Sequence, residues 1–207
     1  VSSKNFTQVA SVDPSMMIQG KVAGVSITNT GAGDPNNQAS IQVRGVSSRA
    51  AGLGPLIVID GVPGGNLTNL NPNDIESYDV LKDGAASAIY GTRGSNGVIL
   101  VTTKKGARDG NLHTSYSGSI ALDVIKKDLD MLSADEYRAN RLASGTGYDL
   151  GGSTDWMKEV SRVGVRTVHT LTLSGGNIKS NYRASVDYRD AKGIDKYSGR
   201  QEYGARI

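Results

Sequence analysis

Few side chains in this 207-residue chain are of a type and spacing that could carry covalent chemistry. Glu76 and Asp79 are the nearest thing to a carboxylate pair for acid–base work, three residues apart. That spacing aligns two side chains on a helix, but Ile75–Leu81 reads as a strand, where they point to opposite faces. The acidic group Asp128, Asp130, Asp135 and Glu136 lacks the spacing of a calcium-binding loop and reads as a solvated surface. His113 and His169 sit singly in strand-like runs, so the sequence offers no metal set. Gly31-Ala32-Gly33-Asp34-Pro35-Asn36 opens like a dinucleotide loop, but Asn36 stands where the third glycine belongs and Pro35 interrupts the following helix. Cysteine is absent, which excludes disulfides, thiol catalysis and thiolate metal sites. The reading at this level is of no enzyme, no cofactor and no metal. Lys and Arg number 23 against 20 Asp and Glu, too slight an excess to point to nucleic acid.

The elements that must position these residues fall into two regions divided near residue 106. Residues 1–106 hold 8 basic and 7 acidic side chains and two tyrosines. Residues 107–207 hold 15, 13 and seven, so charge and tyrosine concentrate in the second region. The first reads as compact α+β. Asp13-Pro14 starts a short helix. Strand-like runs follow at Val22–Thr28, Ser40–Arg44, Leu56–Asp60, Ile75–Leu81 and Gly97–Thr103, with one or two helical turns in residues 83–90. Ile57–Ile59 and Val98–Val101 do not alternate, as expected of strands buried on both faces. Asp60-Gly61 is a turn signal.

The second region alternates with a period of two. In 113–124 the row Thr114, Tyr116, Gly118, Ile120, Leu122, Val124 opposes a mostly serine row. In 181–189 Tyr182, Ala184, Val186 and Tyr188 oppose Asn181, Arg183, Ser185, Asp187 and Arg189. Residues 165–174 alternate more weakly, and Tyr203, Ala205 and Ile207 begin a fourth run. Such strands suit a soluble sheet with one wet face or a membrane wall. The connections, about 40 residues at 125–164, a few at 175–180 and a longer stretch at 190–200, have the long–short rhythm of outer-membrane barrels. Within the long link, Ser133-Ala134-Asp135-Glu136 has capping-box spacing and residues 155–162 suggest a second short helix.

Five blocks in order carry a resemblance: Gln42-Val43-Arg44-Gly45, Leu56–Pro63, Asn71-Pro72-Asn73-Asp74-Ile75-Glu76, the overlapping Ile75–Gly91, and Gly97–Gly106. With Ile18–Val25 and Leu173-Ser174-Gly175-Gly176-Asn177 they resemble the SusC/RagA branch of TonB-dependent outer-membrane transporters. The resemblance implies an α+β plug domain, a small mixed sheet with short helices, over 1–106. Over 107–207 it implies the first three to four antiparallel strands of a 22-stranded transmembrane β-barrel, with a helix-bearing outer loop at about 125–164. Such strands cannot close by themselves, so the chain is read as part of a longer protein in the bacterial outer membrane. The implied partners are a SusD-like surface lipoprotein, TonB of the inner-membrane energising complex, an oligosaccharide or oligopeptide ligand, outer-membrane lipid, and a dimer of transporter–lipoprotein pairs. Arg44 and Lys82 stand at motif positions whose cations face barrel carboxylates in related transporters and hold the plug. Loops 31–39, 47–54 and 63–70 are expected at the outer apex, where Asn36, Asn37, Arg49, Asn66 and Asn69 would face ligand. The alternative is a soluble secreted or periplasmic α+β binding module.

Overall fold

The computed structural model describes residues 1–3, 6, 13–31, 33–43, 45, 54–82, 84–126, 130–142, 144–145 and 148–207. Arg44 and Arg49 lie outside the described residues. Asp13 begins the first element as its sequence predicts. Its carboxylate accepts the Ser15 amide at 2.9 Å and caps the turn Pro14–Ile18, which is a 3₁₀ helix. The other carboxylate oxygen accepts the Ala39 amide at 2.9 Å, so one cap also fixes a distant strand.

Strand β1 (Val25–Thr28) pairs antiparallel with β2 (Ser40–Val43). Strands β3 (Leu56–Ile59), β4 (Val62–Pro63), β5 (Ile75–Leu81) and β6 (Val98–Thr103) form a mixed sheet in the order β4-β3-β6-β5, with β3 and β6 parallel. The unbroken apolar run in β6 has its cause here. Ile99 and Val101 join Ile18, Ile27, Leu67, Leu70, Ile75 and Tyr78 on one face. Val98 joins Val58 and Ala86 of helix α1 (Gly84–Tyr90) on the other. Each such fully buried side chain contributes roughly 1.5–3 kcal/mol of apolar transfer. Asp60 (φ 49°) and Gly61 (φ 87°) both take left-handed backbone and form the tight turn joining β3 to β4.

Strand β5 departs from strict alternation. Its register with β6 shifts between Ile75 and Ser77, leaving Glu76 as the extra residue of a bulge. Ile75 and Tyr78, three apart, thereby enter the same core, while Glu76 and Asp79 are both exposed. Tyr78 is fully buried, stacks edge-on with Phe6 at 5.4 Å, and donates its hydroxyl to the Pro14 carbonyl at 2.9 Å. Burial first, and the Asp13 charge second, hold its pKa above the ordinary tyrosine value. Its contribution is therefore whole below the unfolded tyrosine pKa, about 10, and is lost as pH rises through the folded one. Tyr78→Phe strands the Pro14 carbonyl and is expected to cost the first region about 1–3 kcal/mol near neutrality. Denaturant melts at pH 7 and pH 11 check both statements, because the variant should also lose the alkaline part of the destabilisation.

The second sheet is an antiparallel meander of β7 (His113–Asp123), β8 (Gly164–Gly176), β9 (Asn181–Lys192) and β10 (Gly199–Arg206), in the order β10-β9-β8-β7. The fourth strand is well formed, and the β9–β10 connection is only residues 193–198. The sequence reading of a 190–200 link was too long because Asp190 and Lys192 are polar on an outward row, yet they pair with Gln201 and Gly199. The β7–β8 connection carries α2 (Ala134–Tyr137), closed by the expected Ser133–Glu136 capping box, and α3 (Trp156–Val160), capped by Asp155.

This sheet is inverted relative to a soluble one. Its buried row is polar: Thr170, Thr172, Ser185, Asp187 and Arg189 are each at most 7% exposed. Its outward row is apolar: Leu171, Leu173, Val186 and Tyr203 are 39–78% exposed. Across that outward face runs an aromatic ladder, Tyr116–His169–Tyr188–Tyr203, with ring centroids 6.1, 6.5 and 5.0 Å apart. Tyr116 reaches His169 (Oη···Nδ1 2.7 Å) by lying over Gly118, where a Cβ would meet the tyrosine hydroxyl at 2.9 Å.

Candidate functional site at the seam between plug and wall

The buried polar row of the wall is matched by one short motif of the first region, Asn71-Pro72-Asn73-Asp74. Asn71 caps its own turn by accepting the Asn73 amide at 2.9 Å. Pro72 suits the first position of that turn. With the turn fixed, three side chains aim at the wall. Asn71 and Asn73 donate to Thr170 Oγ1 of β8 at 2.8 and 3.3 Å. Asp74 accepts from Arg183 Nη2 at 2.8 Å and from Ser185 Oγ at 2.6 Å, both on β9. Asp74 is 3% exposed and Asn71 3%. Lys104 closes the edge, donating its ammonium to the Asn73 carbonyl and its amide to the Asp74 carbonyl, both at 2.8 Å. Burial, then the nearby Arg183 charge, lower the Lys104 pKa.

A second clasp lies beside it. Asp60 accepts from the Thr103 amide at 2.8 Å and hydroxyl at 2.7 Å, and from Arg206 of β10 at 2.9 Å. Farther along β9, Arg189 pairs with Asp187 at 3.1 Å and Glu202 at 3.2 Å and donates to the Thr68 carbonyl at 3.5 Å. Between the two regions the linker passes so near β9 that a Cβ on Gly106 would lie 2.1 Å from the Tyr182 carbonyl oxygen. Gly106→Ala is therefore expected to push the linker off the wall and cost about 1–3 kcal/mol. Gly152→Ala, with open space around it, is the matched control, and thermal melts of the two variants make the comparison.

The predicted site residues fall in different places. Lys82 donates its ammonium to the Ala23 carbonyl, within the first region. Asn37 donates to Asn29 at 2.7 Å, and Asn66 caps the turn Leu67–Asn69. Asn36 bonds Asp34 at 3.2 Å and reaches the Gly199 carbonyl of β10 at 3.4 Å. Asn69 is exposed. The structure brings Asn36 and Asn37 to one end of the seam, while Asn66 and Asn69 share the turn beside Thr68. Missed by sequence reasoning were Asp74 and Asp60. Among the described residues, charged contacts across this seam run from the carboxylates of Asp74 and Asp60 in the first region to Arg183 and Arg206 of the second sheet, a different set from the expected Arg44 and Lys82 contacts, whose carboxylates were expected beyond residue 207. The signal was present: Asn71–Glu76 is one of the blocks that carried the resemblance, and Arg183 lies in the polar row of its strand.

With this geometry in place, comparison with known proteins is direct. Residues 1–98 match the family model of the TonB-dependent receptor plug domain. The chain is 43% identical over 204 residues to the TonB-dependent receptor SusC of Bacteroides thetaiotaomicron, covering 92% of this chain and 20% of that protein. It is 38% identical over 198 residues to the TonB-dependent receptor P3 of Formosa agariphila, covering 94% and 19%. The RagAB peptide importer in its closed-closed state superposes over 100% of this chain and 28% of that one, with a TM-score of 0.83 at 28% identity. The chain belongs with the SusC/RagA-like TonB-dependent receptors. Receptors of this kind are outer-membrane proteins, which accounts for the apolar row turned outward and the polar row turned to the plug. This SusC-like chain spans about a fifth of the length of the curated relatives it matches.

Proposed function

We propose that this SusC-like region is the plug (1–106) and first wall strands (107–207) of an active importer of glycans or peptides. Import is energised through TonB and shared with a SusD-like surface lipoprotein, in a dimer of transporter–lipoprotein pairs. The observation that carries the reading is the clasp of Asp74 on Arg183 and Ser185. A plug held by a few buried polar contacts, with no apolar core shared with the wall among the described residues, can be seated firmly and moved as a unit. The reading assigns apex capture to the loops bearing Asn36, Asn37, Arg49, Asn66 and Asn69, and keeps Arg44 and Lys82 as further holds on the plug. Ligand binding at the apex is followed by a pull that parts the clasps and opens a path along the wall. No group transfer is needed at any step. The RagAB relative is described as a peptide importer, which favours peptides, whereas sequence identity is higher to SusC.

The test is uptake of labelled oligosaccharides and oligopeptides by cells carrying the full-length receptor, with and without TonB. Uptake of one class that stops when TonB or the receptor is removed is expected. Uptake indifferent to TonB would overturn the proposal.

A further inference from the structure

A cleft of about 450 Å³ lies between α3 and the residues that follow β7 and precede β8, at the end of the wall that, on the proposed function, is the outer one. Its floor is apolar, made by Val124, Ile125, Met157 and Val163, which are 39–62% exposed. Val124 extends the outward row of Ile120 and Leu122, and Val163 that of Val165, so the floor continues the surface that meets lipid. Lys158 stands on its rim, and exposed Lys126 adjoins the floor. Asp155 also lines the cleft, but its carboxylate is turned to the Lys158 amide, which it caps at 3.1 Å.

The cleft is built into the wall. Ser161 bridges Asp195 of the β9–β10 turn, the Lys196 amide donates to the Val160 carbonyl at 2.9 Å, and the Arg162 amide to Ile194 at 2.7 Å. The Arg162 guanidinium holds the same turn through the Gly193 and Ser198 carbonyls at 3.0 and 2.7 Å. A short helix is thus tied beside the apolar row, with Lys158 among the cleft's lining residues and exposed Lys126 following Ile125 in the chain. Lysines beside such a row bury their stems along apolar surface and extend their charge to headgroups.

We propose that this cleft docks a phosphate-bearing lipid of the outer leaflet, with an acyl chain on the Val124–Val163 floor and the phosphate between Lys126 and Lys158. Continuity with the lipid-facing rows selects this occupant, and the two ammonium groups select an anionic headgroup.

The full-length receptor, stripped of lipid and placed in zwitterionic vesicles, is titrated with diphosphorylated lipid A and with the same lipid lacking its phosphates. Native mass spectrometry reads the bound lipid. The diphosphorylated form is expected to bind more tightly, and Lys126→Gln and Lys158→Gln each to weaken it about fivefold without affecting the dephosphorylated form. Val163→Ser should weaken both. Heat-modifiable gel mobility verifies that each variant barrel is folded. Equal affinity for both lipids, or indifference to the lysine changes, would overturn the proposal. So would unchanged lipid binding accompanied by loss of receptor dimers or of the lipoprotein partner, since the cleft would then serve a protein.

Discussion

Asp74→Ala in the full-length receptor is expected to loosen the plug from its wall, at a cost of about 3–5 kcal/mol. The magnitude follows from what is left behind. Arg183 loses its counter-ion while its side chain stays four-fifths buried, and Ser185 loses the acceptor at 2.6 Å. Arg183 already has a buried Nε with no partner among the described residues, so little remains to compensate the charge. Asp74→Ala combined with Arg183→Met removes both charges and should recover most of the loss, because replacing a buried pair with apolar groups is often neutral. Limited proteolysis of the plug and denaturant melts read the effect. If Asp74→Ala alone proved as protease-resistant as the parent, the clasp would not be what seats the plug.

Leu171→Arg should be the most damaging change on the wall's outer face. Leu171 pairs with Val186 in register, between the aromatic row at Tyr188 and the one at Tyr182, and 47% of its surface is exposed. On a soluble sheet, replacing so exposed a leucine would change stability by about 0.5 kcal/mol or less. On a lipid-facing strand near the bilayer centre, arginine costs about 2–4 kcal/mol. Folding of the full-length receptor into phospholipid vesicles, followed by urea titration, separates the two values. A small effect would restore the soluble binding module that the alternation alone left open.

The contrast between these sites shows what the sequence made legible. Local signals were sufficient where one residue type has one physical use. Asp13-Pro14 started a turn, Asp60-Gly61 made a hairpin, Ser133–Glu136 closed a capping box, and the all-apolar β6 lay between two packed faces. The alternation of β7–β10 revealed two faces, but their polarity relative to the protein interior became visible only when the plug was seen against the serine, threonine and arginine row. The seam was less legible for the same reason. Asp74 and Arg183 are separated by 109 positions and Asp60 and Arg206 by 146, and no local pattern relates them. The β5 bulge escaped notice because Glu76 looks like any polar residue on a strand's outer face.

The spacing of charge along the inner row of β9 also makes the seam a gauge of alignment. Read in order, Arg183, Ser185, Asp187 and Arg189 present plus, neutral, minus, plus, with Asp74 against the first two and the Thr68 carbonyl against the last. A strand slipped by one residue would turn this row to lipid. Slipped by two in one direction, it would set Asp187 against Asp74; in the other, Asp187 against the Thr68 carbonyl. The row therefore fits the plug in one setting of the strand: either two-residue slip replaces a cation with a carboxylate opposite a plug oxygen.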